Sequence, residues 1–276
     1  MGATFVITLR EGFEAALLLG IVYAYLAKTG LRCHHAWVTS GALLGVAASI
    51  LFGVLVSLIS GVLADIGADV VAAGVMLLAV ALLTWHAWWM SQHARALSSQ
   101  VQEQVDRARA TGRLSLLAVI AFTAVFREGA ETVLFLWGLM TQVQINGMQG
   151  IVGAAAGVGV AAIIGWAIYR GGSRIPVRRF FTWTTVLLVL VAAGLLSSAI
   201  GRLANLGWLP STATLWDLSW LLEDGRGIGG FLAGLVGYRA TPSALEALAW
   251  LAYLVLAASL LWRPALQPSE KLLVTK

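Results

Sequence analysis

Apolar residues in this chain fall into blocks of about twenty or more, separated by short clusters of Arg, Gly, Pro and polar residues. Blocks of that length suit a helix crossing the roughly 30 Å hydrocarbon core of a bilayer, which takes about 20 residues. The pattern predicts spans near 3–27, 36–60, 67–91, 114–140, 148–169, 180–200 and 244–262. The expected fold is therefore all-α: a polytopic membrane protein with seven transmembrane helices in a single domain over 1–276. The first block holds Arg10, Glu11 and Glu14, charges that no secretory signal peptide carries in its apolar stretch, so it is read as a span kept in the mature protein.

The loops orient these spans. Lys28, Arg32, Arg95, Arg107, Arg109, Arg113, Arg170, Arg174, Arg178, Arg179, Arg263, Lys271 and Lys276, 13 of the 18 basic residues, share one side of the predicted topology, whereas Arg202, Arg226 and Arg239 share the other. Basic loops stay in the cytoplasm, so the N-terminus is expected outside and the C-terminus inside a cell (inner or plasma) membrane. The first and fourth spans then run in opposite directions. Residues 3–91 and 114–200 read as two inverted three-helix repeats, followed by an outer segment, 201–243, and a last helix, 244–262; such repeats put a substrate site near the midplane. Gly41-x-x-x-Gly45 and Gly153-x-x-x-Gly157 recur in the second span of each half, where small residues let helices approach. Within the outer segment, Thr212 to Glu223 is predicted to form a short interfacial helix stopped by Gly225, and 93–113 a solvated helical connector.

Composition narrows the functional classes. The chain is 59% apolar and 11% charged, with mean hydropathy +0.86. Its net charge of +5 resides in topology-setting loops, which argues against nucleic acid as a partner. Cys33 is the only cysteine, excluding a disulfide framework and cysteine-based zinc or iron–sulfur sites. The sequence contains no P-loop motif for ATP hydrolysis.

Two segments carry the chemistry: Arg10-Glu11-Gly12-Phe13-Glu14 and Arg127-Glu128-Gly129-Ala130-Glu131. On a helix, spacing of three puts each motif's glutamates on one face, and spacing of four lets each Arg reach the second Glu. Ionised groups at membrane depth cost at least about 2.5–3.5 kcal/mol each, so six of them require a purpose. Self-neutralising Arg–Glu pairs for packing would account for one motif. Two such motifs, each with an extra carboxylate, leave a formal charge of minus two around a shared space, which a multivalent cation would satisfy. Carboxylate oxygens are hard ligands for magnesium, calcium, manganese or iron. Gly12 and Gly129 permit close helix approach at the motif.

These paired segments resemble the high-affinity iron permease family, the oxidase-dependent iron transporters, in its bacterial Efe-type branch. The resemblance extends to Trp216-Asp217-Leu218-Ser219-Trp220 and to Gly237-Tyr238-Arg239-Ala240-Thr241-Pro242-Ser243. It implies seven helices, iron uptake, and Glu11, Glu14, Glu128 and Glu131 as the iron-handling residues. It also implies an extracytoplasmic oxidising partner, a haem peroxidase or ferroxidase, working beside a periplasmic or surface iron-binding protein. The expected activity is transport rather than catalysis, with iron as cargo and no resident cofactor. One rival is a transporter of another hard divalent metal such as manganese or magnesium. Another is an intramembrane carboxylate metalloenzyme, but the Glu-x-x-His pairs usual in di-iron sites are missing from both motifs.

Further polar residues each admit two readings. Asp65 and Asp69 stand where a helix N-terminus favours acids, or recruit cations at an outer mouth. Asp217, Glu223 and Asp224 are solvated loop acids or a collecting surface. Glu246, three residues after Ser243, forms a capping box. Cys33, His34 and His35 are a cytoplasmic loop or a metal-receiving cluster. Trp85, His86, Trp88, Trp89, Met90 and His93 read as an inner aromatic belt with polar neighbours, within which His86 is the residue to test.

Overall fold

The computed structural model describes residues 2–31, 34–93, 97–110, 115–142, 147–171, 177–224 and 227–261. Their elements are the helices α1 (Gly2–Lys28), α2 (His35–His93), α3 (Leu97–Ala110), α4 (Ser115–Gln142), α5 (Gly147–Gly171), α6 (Val177–Asn205), α7 (Gly227–Val236) and α8 (Ala244–Leu261). An all-helical chain is what a bilayer demands, because a helix satisfies its backbone polar groups internally. Among the described residues, five stretches are long and apolar enough to cross a membrane: His35–Ile59, Gly67–Gln92, Gly150–Ala167, Phe180–Asn205 and Ala244–Leu261. Helices α1 and α4 have the length, 27 and 28 residues, but each carries an Arg and two Glu near its middle.

Helix α2 is two limbs joined at Gly67, whose φ of 140° is open only to glycine without strain. Its first limb leaves Leu43, Leu44, Ile50, Leu51, Leu58 and Val62 more than half exposed, an apolar surface suited to lipid. That limb lies along α4 in the same direction: Gly41 packs on the Ala118 backbone, Gly45 on Phe122 and Val125, and Gly53 on Val133. A matching seam joins α1 to α5, where Gly157 meets Phe5 and Thr8, Gly12 meets Ala161, and Gly165 meets Ala16. Each motif helix is thus wedged against a small-residue stripe from the other half of the chain.

Two apolar clusters bracket the motifs. One joins Ala3 and Ile7 of α1 with Met76 and Leu83 of α2, Phe135 and Leu139 of α4, and the middle of α6. The other joins Val22 and Leu26 of α1 with Val38, Leu117 and Ala121. Helices α1 and α4 pass between these clusters in opposite order, so they are antiparallel. The second cluster also takes Val105 and Ala108 from α3, and Tyr25 donates a hydrogen bond to Asp106 at 2.6 Å. The connector is therefore amphipathic and docked rather than solvated throughout.

The interfacial helix expected over Thr212 to Glu223 does not form. That stretch folds back on the residues before α8 instead, with Leu215 N–H on Pro242 O at 3.0 Å, Leu218 N–H on Ala240 O at 2.9 Å, and a bridge between Thr214 and Ser243. Asp217 accepts hydrogen bonds from the N–H and hydroxyl of Ser219 at 2.9 and 2.5 Å, a local turn that competes with helix. The short helix lies further on, at α7, with Phe231 against Gly2 of α1. The capping box at α8 is present: Ser243 N–H donates to Glu246 Oε2 at 2.8 Å, and Glu246 N–H to Ser243 Oγ at 3.3 Å. Glu246 also pairs with Arg239. Cys33 and the side chains of Asp65 and His93 lie outside the described residues.

Candidate metal site

The two motifs meet in the interior. Arg10 is fully buried, and its Nη1 donates to Glu11 Oε1 at 2.7 Å. Its Nη2 stands 2.9 Å from Glu14 Oε1, an ion pair without hydrogen-bond geometry. From α4, Arg127 Nε donates to Glu131 Oε1 at 3.0 Å and lies 3.9 Å from Glu128 Oε1. Glycine is required at this contact: a Cβ on Gly129 would collide with Ser49 Oγ of α2, and one on Gly12 would come within 3.0 Å of the Ala161 Cβ.

The motifs are alike in sequence and unlike in setting. Arg10, Glu11 and Glu14 are at most 3% exposed, whereas the Arg127 side chain is 45% exposed and lies over the Trp89 ring, 4.7 Å from its centroid. Trp89 thus packs against the motif cation, a cation–π contact within the usual range.

A residue that sequence reading left in the aromatic belt stands among the glutamates. His86 is 2% exposed; its Nε2 is 3.4 Å from Glu14 Oε2, and its Nδ1 contacts Glu131 Oε2. The belt reading fails at this position for a geometric reason. Successive helical residues point about 100° apart, so Trp85 turns outward at 62% exposure while His86 turns inward. The signal was present in the spacing: Ala72, Met76, Ala79, Leu83, His86 and Met90 mark the buried face of the second α2 limb.

Glu11, Glu14, His86 and Glu128 each offer a ligand atom, and these atoms all lie within 4.8 Å of one another. Among the described residues, Glu11 Oε2 and Glu128 Oε2 are buried oxygens with no hydrogen-bond partner. Buried carboxylate oxygens left in that condition are costly unless a cation occupies the space between them or a proton neutralises them.

The outer acids have local partners. Asp69 pairs with Arg202 at 2.6 Å, and Arg202 also donates to Thr141 O at the end of α4. Asp217 holds its own turn, and Asp224 accepts the Ala240 N–H at 2.5 Å. Glu223 is exposed. The two hydrogen bonds from Ser219 hold the Asp217 carboxyl below the usual aspartate range.

A bundle with several helices fit to cross a membrane, enclosing a charged cluster between apolar layers, is an integral membrane protein built to handle an ion. The chain belongs to the iron permease FTR1 family, whose sequence model matches residues 1–266. It is 33% identical over 260 residues to the ferrous iron permease EfeU of Escherichia coli O6:H1 strain CFT073, covering 92% of this chain and 93% of that one. The ferrous iron permease EfeU of Shigella sonnei strain Ss046 is equally similar. That of Yersinia pestis is 31% identical over 271 residues, covering 96% and 94%. No solved structure matches the chain.

Proposed function

We propose that this protein is an iron uptake permease in which Glu11, Glu14, Glu128 and Glu131 hold iron in transit. The observation that carries the reading is the pair of buried oxygens without hydrogen-bond partners, Glu11 Oε2 and Glu128 Oε2, one from each motif, on residues whose ligand atoms converge in one cluster. Four carboxylates and two guanidiniums sum to minus two, which a ferrous ion neutralises. Arg10 and Arg127 compensate the carboxylates when the cargo has left.

The architecture proposed around this site has seven spans, adding α1 and α4 to the five apolar ones, with the C-terminus in the cytoplasm. Spans 1–3 and 4–6 form inverted repeats. The exchanged seams, α1 on α5 and α4 on the first limb of α2, support that symmetry, as does the antiparallel course of the motif helices. Asp69, Asp217, Glu223 and Asp224 are the proposed acids of the outer approach, together with Asp65, whose side chain lies outside the described residues, and the Asp69–Arg202 pair would have to open for Asp69 to meet an ion. An extracytoplasmic peroxidase or ferroxidase and an iron-binding protein are the proposed suppliers. The proposed role is transport without catalysis.

The test is radioactive iron uptake into vesicles containing the purified chain, at fixed redox state. Each single Glu→Gln variant should insert and fold, because volume and hydrogen-bonding capacity survive, and should lose most of its transport. Near wild-type flux in all four would remove the motif glutamates from the path, and radioactive manganese or magnesium uptake that exceeds iron uptake and is not competed by iron would favour the rival cargo.

A further inference from the structure

The cluster is not built from glutamates alone, and its five members are not equivalent. His86 reaches both motifs from a third helix, with one ring nitrogen toward each: Nε2 at 3.4 Å from Glu14 and Nδ1 on Glu131. Glu131 stands apart from the group whose ligand atoms converge within 4.8 Å, and it is the most exposed of the four motif glutamates, its side chain at 20%. Its two oxygens are engaged elsewhere, one with Arg127 and one with His86.

We propose that His86 is a nitrogen ligand of the transported ion through Nε2, beside Glu11, Glu14 and Glu128, and that Glu131 is a positioning residue holding the Nδ1 side of the ring. The proposal rests on the iron-permease reading above and changes its ligand set in one respect, moving Glu131 from the ion to the ring of His86. A neutral imidazole carries a proton on one nitrogen and a lone pair on the other. Neither ring nitrogen has hydrogen-bond geometry to its carboxylate in this form; a turn of the ring that lets Nδ1–H donate to Glu131 keeps the proton there and leaves the Nε2 lone pair for the cluster, an arrangement that recurs where a histidine binds metal and an outer carboxylate orients it. The dimensions suit an ion after a small contraction of the cluster: ligands on opposite sides of an ion at about 2.1 Å are about 4.2 Å apart, about 0.6 Å inside the 4.8 Å within which these atoms lie.

The nitrogen has a consequence for selection. Magnesium and calcium prefer oxygen throughout their shells, whereas imidazole suits iron and the later transition metals. Three carboxylates alone would accept any hard dication. With His86 added, the site discriminates against the magnesium and calcium that abound outside cells.

Pulsed electron paramagnetic resonance on the purified full-length protein loaded with Mn²⁺ reads the ligand atoms directly. The wild type should show coupling to one imidazole nitrogen; His86→Gln should lose it and Glu131→Gln should keep it. In vesicles, His86→Gln should let calcium compete with ferrous iron at a concentration at least about tenfold lower, while Glu131→Gln should weaken iron uptake by about 10- to 100-fold, the usual loss for an outer-shell partner, with the competition ratio unchanged. Should His86→Gln fail to fold, the wild-type and Glu131→Gln spectra still decide. Mn²⁺ bound through oxygen alone in the wild type, with uptake still dependent on the motif glutamates, would overturn the His86 assignment and leave the permease reading standing. Metal binding and uptake indifferent to Glu11→Gln and Glu128→Gln would remove both.

Discussion

Replacing Arg10 or Arg127 by Ala deletes the same group from the same motif, yet the outcomes should differ widely. Arg10 is wholly buried, with its guanidinium 2.7 Å from Glu11 and 2.9 Å from Glu14. Removing one partner of such a buried pair costs about 3–5 kcal/mol, since it strands the opposite charge. Arg127 is 45% exposed and its main partner, Glu131, 20%; an ionisable side chain inside a span faces a water-filled cavity rather than lipid, and pairs open to water contribute about 0.2–1 kcal/mol. The expected gap is about 2–5 kcal/mol, or about one and a half to three and a half powers of ten in the folded-to-unfolded ratio. Denaturant titration of the purified protein, followed through its 12 tryptophans, measures the difference. A second arm isolates the cause: the double variant Arg10→Ala, Glu14→Gln carries one stranded charge fewer and should recover part of the loss. Equal shifts for the two arginines, or a double variant no better than Arg10→Ala, would refute the argument from burial.

Gly129→Ala should destabilise by about 1–3 kcal/mol through overpacking, and the added change Ser49→Gly should restore stability if the Ser49 hydroxyl is the obstacle; a thermal-melt series checks both. A cysteine placed at Glu223 should react with an impermeant thiol reagent from outside the cell, and labelling only from the cytoplasmic side would invert the proposed topology. The Asp217 turn should persist as pH falls to the ordinary aspartate value of 3.8 and open only below it, because a lowered carboxyl pKa keeps the accepting anion present down to that lowered value. The emission of Trp216 and Trp220, read against an Asp217→Asn control, follows that opening.

The helical spans were legible because a bilayer enforces long apolar runs, and the limits of α1, α4 and α8 follow the hydropathy closely. The motif glutamates were legible because charge inside such runs is conspicuous. His86 was not, since its partners lie 72 and 45 positions away along the chain and its flanking tryptophans imitate an interface. Arg10 and Arg127 are interchangeable on paper; only tertiary packing separates a sealed guanidinium from one lying over Trp89. The Leu- and Trp-rich stretch from Thr212 to Glu223 carries a helical composition, but its backbone donors go to the strand-like approach to α8, a non-local pairing that local propensity does not register.

The two apolar clusters on either side of the motifs also act as electrical insulation. A membrane voltage falls where the dielectric constant is low, so in this form it drops across the packed layers around Ile7 and Phe135 and around Leu26 and Leu117. One elementary charge moved through 100 mV changes energy by about 2.3 kcal/mol, so a dication drawn toward a negative cytoplasm gains about 4.6 kcal/mol, shared between the two layers. In the proposed transport cycle each layer withholds its share until it parts to let the ion through. Were both to part together, the path would conduct continuously and dissipate the gradients across the membrane, so alternate opening is what keeps the proposed transport from becoming a leak.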